Sequence, residues 1–229
     1  EIVLPKTSQP SPGDFRRQFE FLLSHHPAFV YVGLSRAVSG TIQSAETAAQ
    51  RGQADRSHIF DTANAAGGEG LLAIAAAEAA MRGESAEAIM SLLAALKPQT
   101  ETWAIAREMS HAVRGGRVPR WAKYIAEWLG LTPMVKVTPE GILKPHSAFI
   151  GKKDIPRRFA AYVAKSIDPD KQYRLIVGHC DAGKEGEELL AELKKLIPHE
   201  HAWCVETGPA VGAHAGPGAL VISLQPVLQ

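Results

Sequence analysis

Ser39, Gly40 and Thr41 place two hydroxyls on either side of a glycine at a point where an apolar run, AFVYVGL, gives way to the helical pattern TIQSAETAAQ. Unpaired N–H groups and the positive end of a helix dipole converge at such a junction, so a carboxylate or phosphate would be stabilised there. The competing reading is that Ser39 caps its own helix, and the residues alone leave both open. Thr7 and Ser8 lie between Pro5 and Pro10, in a stretch that the prolines hold extended, so their hydroxyls are available to a ligand or to a loop. His214 stands among small residues in VGAHAGPGA. There an imidazole can donate to a carboxylate or serve as a structural hydrogen-bonding group. Arg114 and Arg117 flank a glycine pair in RGGRV and could bring positive charge to a pocket mouth or form a solvated turn.

Three other constellations are weaker. Gly178, Gly183 and Lys184 reproduce the spacing of a phosphate-binding loop between a strand and a helix, but Glu185 stands where a magnesium-binding Ser or Thr is required and would repel phosphate. Cys180 lies between His179 and Asp181, yet adjacent strand residues point to opposite faces, which works against a nucleophile and base pair. The nine histidines include His25–His26 and His199–Glu200–His201 without HExxH or paired-cysteine spacing, so no metal site is expected. If Ser39 were a nucleophile with His214 as its base, a third orienting group would be needed, and Asp61 is the candidate for it.

The elements that position these residues read as alternating strands and helices, which implies α/β architecture. Ser11, Pro12 and Asp14 spell a capping box with a first-turn proline ahead of FRRQFEFLLSHH. Strands are expected at AFVYVGL and SHIFDTA, with a helix closing at Gly52 between them. A glycine cluster, Gly67, Gly68 and Gly70, opens an alanine-rich helix ending near Gly83, and another helix runs through Leu96. A helix to Trp128, a hairpin MVKVTPEGILKP, a helix over residues 155–166 and the strands YRLIVGHC, HAWCVETG and ALVISLQP complete the reading. The helix EGEELLAELKKLI separates the first two of those strands, and the glycine-rich GPAVGAHAGPG precedes the last. Two α/β domains, 1–112 and 113–229, are the expected division.

With 229 residues and 45% hydrophobic content, the chain can bury one large core or two smaller ones. Its formal charge of +1 argues against nucleic acid as a partner. Two cysteines in apolar runs read as core thiols of a reducing compartment. The alanine-rich stretch from Gly70 to Met81 carries Glu78 and is too short to span a bilayer. The opening residues Glu1 to Pro5 show no basic leader, so a cytoplasmic location is expected.

Taken in order, PKTSQPSPGDF, LSRAVSGTIQSA, GGEGLL, RGGRV and GAHAGPGAL resemble the motifs of the DegV family across nearly the whole chain. The resemblance implies two α/β domains with one long-chain fatty acid, such as palmitate, stearate or oleate, held between and within them. It assigns Thr7, Ser8, Ser39, Gly40, Thr41 and His214 to the lipid carboxylate, and Arg117, with Arg114 beside it, to the head group or a partner. It implies a binding protein rather than an enzyme acting alone, one that needs no cofactor and can present its lipid to a separate fatty-acid kinase subunit. The chemistry is consistent, because a buried carboxylate must be hydrogen-bonded whereas each buried methylene gains about 0.8 kcal/mol. Two departures from the family pattern stand out. The strand and Asp–Ser turn that usually precede the TSQP segment are not in this sequence, so the first sheet is expected to be incomplete. An arginine found just after the hairpin in kinase-associated members is replaced near Phe149–Ile150–Gly151. The reading from a different class is a serine-dependent acyl hydrolase or transferase using Ser39 and His214.

Overall fold

The computed structural model describes residues 6–52, 54–107, 111, 113 and 130–228. Arg114, Arg117, the helix expected up to Trp128 and the division drawn at residue 112 lie outside the described residues. Elements are numbered below over the described residues.

Helix α1 (Pro12–His25) begins as its capping box requires. Asp14 N–H donates to Ser11 Oγ at 3.2 Å, and Ser11 N–H donates back to the Asp14 carboxylate at 3.0 Å. Strand β1 (Phe29–Gly33) pairs in parallel with β2 (Ser57–Asp61). Among the described residues these two strands form a sheet of their own. Successive side chains point to opposite faces. Phe29, Tyr31 and Ile59 therefore pack with α1 and α2 (Thr41–Gln50) around Phe19, Ala45, Ala48 and Ala49. Val30, Val32 and Phe60 pack instead with α3 (Gly67–Met81) and α4 (Ala86–Leu96) around Leu72, Ala75, Ala79, Ile89 and Leu93.

The second sheet has six strands in the order β5-β4-β3-β8-β6-β7. Its members are β3 (Glu101–Ile105), β4 (Leu131–Val137), β5 (Leu143–Ile150), β6 (Tyr173–His179), β7 (His199–Glu206) and β8 (Leu220–Pro226). Among the described residues of this sheet, β6 and β7 alone run parallel to each other. The expected hairpin is β4–β5, with a register shift at Met134/Val135. Helices α5 (Ile155–Ala164) and α6 (Gly183–Leu196) cover one face, burying Trp103, Met134, Phe159, Val163, Leu175, Leu193, Ile222 and Leu224.

Helix α3 is the layer common to both sheets, touching β1 on one side and β3, β6 and β8 on the other. Its glycines make that closeness possible. A Cβ on Gly67 would meet Ser223 Oγ at 2.8 Å and Ile176 at 2.9 Å. Polar side chains buried at this contact satisfy one another. Thr102 and Ser223 share a hydrogen bond of 2.9 Å, Asn64 Nδ2 donates to the Thr100 carbonyl at 2.9 Å, and Gln225 Nε2 donates to Thr100 Oγ1 at 3.0 Å. The hairpin tip adds a further tie, since Ser35 Oγ just beyond β1 donates to the Gly141 carbonyl at 2.9 Å.

Two elements differ from the expectations. β3 has no counterpart in the sequence reading, yet it lies inside the larger sheet between β4 and β8. The glycine-rich segment before β8 folds as a short helix, α7 (Pro209–Ala215), with Pro209 at its start.

Candidate functional site

The sequence candidates gather around the segment formed by residues 7–9. Thr7 Oγ1 lies 2.7 Å from His214 Nε2, a pair separated by 207 positions in the chain. Two residues further on, the side-chain amide of Gln9 lies against Gly40, in the space that any Cβ there would fill. Gly40 has an ordinary φ of −77°, so glycine is required by this close approach and not by backbone conformation. Beside it Ser39 Oγ and Thr41 Oγ1 share a hydrogen bond of 2.8 Å, and Thr41 N–H reaches Ser39 Oγ at 3.3 Å. The cap position of α2 belongs to Gly40, without a side-chain cap, so Ser39 stands one residue ahead of the cap position that one of its readings gave it. The extended segment from Thr7 to Gln9 spans only about 7 Å. It thus joins the histidine of α7 to the hydroxyls ahead of α2.

Ser8 is not drawn into this cluster. It is exposed, and among the described residues it makes no side-chain hydrogen bond. Gln9 was not a candidate in the sequence, although its place in TSQP and the glycine in SGT were both in view.

The hydrolase geometry does not assemble. Nε2 of His214 is taken by Thr7, and Ser39 is bonded to Thr41. Asp61 accepts from Arg36 Nε at 2.7 Å and from Ala63 N–H at 2.9 Å, so it orients a loop and an arginine instead of an imidazole. The loop before α6 is not a phosphate cradle either, because Glu185 in its first turn holds Arg107 at 2.5 Å. Burial, reinforced by Glu187, pushes the Cys204 thiol up to about 11, which keeps it protonated and inert. Among the described residues no three His, Cys, Asp or Glu side chains are grouped so as to hold a metal. Nor does any described helix have the length and apolarity to cross a membrane.

One ionisable group was missed. Glu69, in the first turn of α3, has no ion pair among the described residues. Burial pushes its carboxyl up to about 7, while the Leu34 backbone N–H pulls the other way. The Tyr31 hydroxyl is raised as well, by burial first and by the Glu69 charge second. The Tyr31 ring lies along β1 over Gly33, where a Cβ would sit 2.5 Å from the ring edge. The Glu69 carboxyl is therefore within electrostatic reach of the Tyr31 hydroxyl, and Leu34, whose N–H it accepts from, follows the carboxyl end of β1 on the way to Ser39. Carboxyl ends of strands are where α/β sheets commonly receive ligands. A glutamate between glycines at a helix entry, with no basic residue nearby in GGEGLL, was the signal available for it.

Comparison with known proteins identifies the family. The model of the DegV family, described as one of uncharacterised proteins, matches residues 1–227. A DegV domain-containing protein of Streptococcus pyogenes is 30% identical over 225 residues, covering 95% of this chain and 77% of that protein. Among solved structures, a DegV family protein from Thermus thermophilus described by its fatty acid binding has a TM-score of 0.88 at 28% identity, over 98% of this chain and 80% of that one. DegV of Bacillus subtilis, described as a fatty acid binding protein, has a TM-score of 0.81 at 25% identity over 97% and 79% of the two chains. With the family model spanning nearly the whole sequence, the five ordered motifs and the shared α/β fold have one explanation: the chain belongs to the DegV family.

Proposed function

We propose that this chain binds a single long-chain fatty acid, with the carboxylate at the Thr7–His214 and Ser39–Gly40–Thr41 cluster and the acyl tail in apolar surroundings. The observation that carries the reading is the convergence of three distant motifs through residues 7–9. Hydroxyls, an imidazole and the N–H groups ahead of α2 are the donors that a buried carboxylate needs, and the engagement of Ser39 with Thr41 instead of with His214 favours holding over cleaving. The family's fatty-acid-binding members lend the ligand class its support. Thr7, Ser39, Thr41 and His214 act on the head group in this reading, with Gly40 admitting the segment that carries Gln9. Ser8 lines the same segment. Arg114 and Arg117 belong to the proposal as head-group or partner-facing charges. Presentation of the lipid to a separate kinase subunit, and the division into units 1–112 and 113–229, are extensions of it.

The test is Ser39→Ala, measured by oleate titration and by hydrolysis of an acyl ester. Loss of a head-group donor weakens binding by about 1 to 3 kcal/mol, with no esterase activity in either protein. Turnover in the wild type that Ser39→Ala abolishes would establish the hydrolase reading instead.

A further inference from the structure

The loop between β1 and α2, residues 34–39, carries Ser39 to the start of α2 and is pinned along its length. Leu34 N–H donates to the Glu69 carboxyl, Ser35 N–H donates to the Asn64 carbonyl at 2.9 Å, and Arg36 N–H donates to Asp61 Oδ1 at 3.3 Å. The Ser35 carbonyl then accepts from Val38 N–H and Ser39 N–H, each at 3.2 Å. Ser39 therefore stands one backbone turn beyond Ser35 and takes its position from it.

The side chain of Ser35 reaches the other sheet. It is 1% exposed, and its hydroxyl donates to the Gly141 carbonyl at the tip of the β4–β5 hairpin, 2.9 Å away and 106 positions along the chain. The same oxygen accepts from Ala37 N–H at 3.2 Å. The tip is shaped for this approach. Gly141 is buried with φ of +80°. A Cβ there would run into Ser35 Oγ and lie 2.9 Å from Ala63 Cα, so backbone conformation and close contact both call for glycine. Two further bonds brace the turn, Gly141 N–H to the Thr138 carbonyl and Thr138 N–H to the Ile142 carbonyl, each at 2.8 Å.

We infer that Ser35 is a positioning residue for the Ser39–Gly40–Thr41 half of the site, and that the hairpin tip of the larger sheet is the support that fixes it. The inference deepens the fatty-acid reading and takes its ligand from it. Ser35 is not itself a head-group donor, because its proton goes to Gly141 and its oxygen already accepts from Ala37. Without the contact, a buried carbonyl and a backbone N–H both lose a partner. The loop can then shift, and Ser39 with it. A displacement of about 1 Å takes a donor out of hydrogen-bond range of a fixed carboxylate. The larger sheet thus acts on the head group through one side chain of the loop.

The experiment combines oleate titration with amide hydrogen exchange at Ser39, on the full chain. Ser35→Ala removes the donor, and Gly141→Ala pushes the tip away from the other side, so either variant suffices if the other does not fold. Each should weaken oleate binding about tenfold and speed exchange of the Ser39 amide about tenfold. Because both act through one contact, the double variant should lose about as much as the larger single, not the product of the two. Val163→Ala, in the core under α5, is the control: it should lower stability and leave oleate affinity and Ser39 exchange in the folded protein as they were. The inference is overturned if Ser39 exchange is unchanged in the single variants, if their oleate losses multiply in the double, or if Val163→Ala weakens oleate binding equally. A wild type that takes up no oleate would remove the fatty-acid reading, and Ser39 exchange would still decide whether the tip holds the loop.

Discussion

The two sheets are stabilised in different ways. The six-stranded sheet is packed by large side chains, Trp103, Met134, Phe159 of α5 and leucines from α6, in one continuous core. The two-stranded sheet is covered on both faces by helices that contribute a large share of alanine, Ala45, Ala48 and Ala49 beside Phe19 on one side, Ala75, Ala76 and Ala79 beside Leu72, Ile89, Leu93 and Leu96 on the other. Each alanine buries little area, so the small sheet gains less per residue from burial. The gain is proximity. Short side chains bring helices and strands close together, and the loops at the carboxyl end of β1 can converge on Ser39 and Gly40. The larger sheet holds the larger apolar core, and the smaller one positions the Ser39–Gly40–Thr41 half of the proposed site, whose His214 comes from the helix before β8.

Substitutions can break that contrast, beginning with the largest effect. Phe159 is fully buried in the larger core, and Phe159→Ala should cost about 4 kcal/mol in denaturant unfolding. A loss under about 1 kcal/mol would show that the core is looser than the packing implies. Glu69→Gln probes the smaller sheet through pH. Below the ordinary carboxyl value of 4.5, Glu69 is protonated in both folded and unfolded chains and contributes nothing. Between 4.5 and about 7 the unfolded chain releases the proton while the folded one keeps it, so stability falls as pH rises and the deficit persists above 7. Glu69→Gln should therefore be more stable than the wild type by about 2 kcal/mol near neutral to mildly alkaline pH, with the difference vanishing in acid. A pH-independent difference would contradict the burial of this carboxyl. Gly40→Ala should have the smallest effect on folding, about 1 kcal/mol or less. It displaces Gln9, however, so its oleate affinity should fall further than its stability does. Equal losses would mean that the 7–9 segment only supports the fold.

Much of this arrangement was legible before the structure. The capping box of α1 and the strands β1, β2, β6 and β8 have strong local signals, a serine–proline–aspartate start or runs of β-branched residues. β3 did not. ETWAI is five residues long with polar Glu101 and Thr102, and it is a strand because β4 and β8 pair with it on either side, which no local pattern contains. α7 was equally hidden, since Gly212 lowers helix propensity in a seven-residue segment. For the site, residue chemistry singled out Ser39, Thr7 and His214, but only the order of family motifs suggested that they meet. A 2.7 Å contact across 207 positions leaves no trace in spacing. Gln9 was missed because its role is steric, and Glu69 because a helix-entry glutamate is usually an exposed partner of the helix dipole.

The most direct test of the central claim is native mass spectrometry of the purified protein, followed by denaturation and identification of any small molecule released. The account predicts one long-chain fatty acid per chain, lost on unfolding. A protein that is empty, and that stays empty after addition of palmitate or oleate, would contradict it.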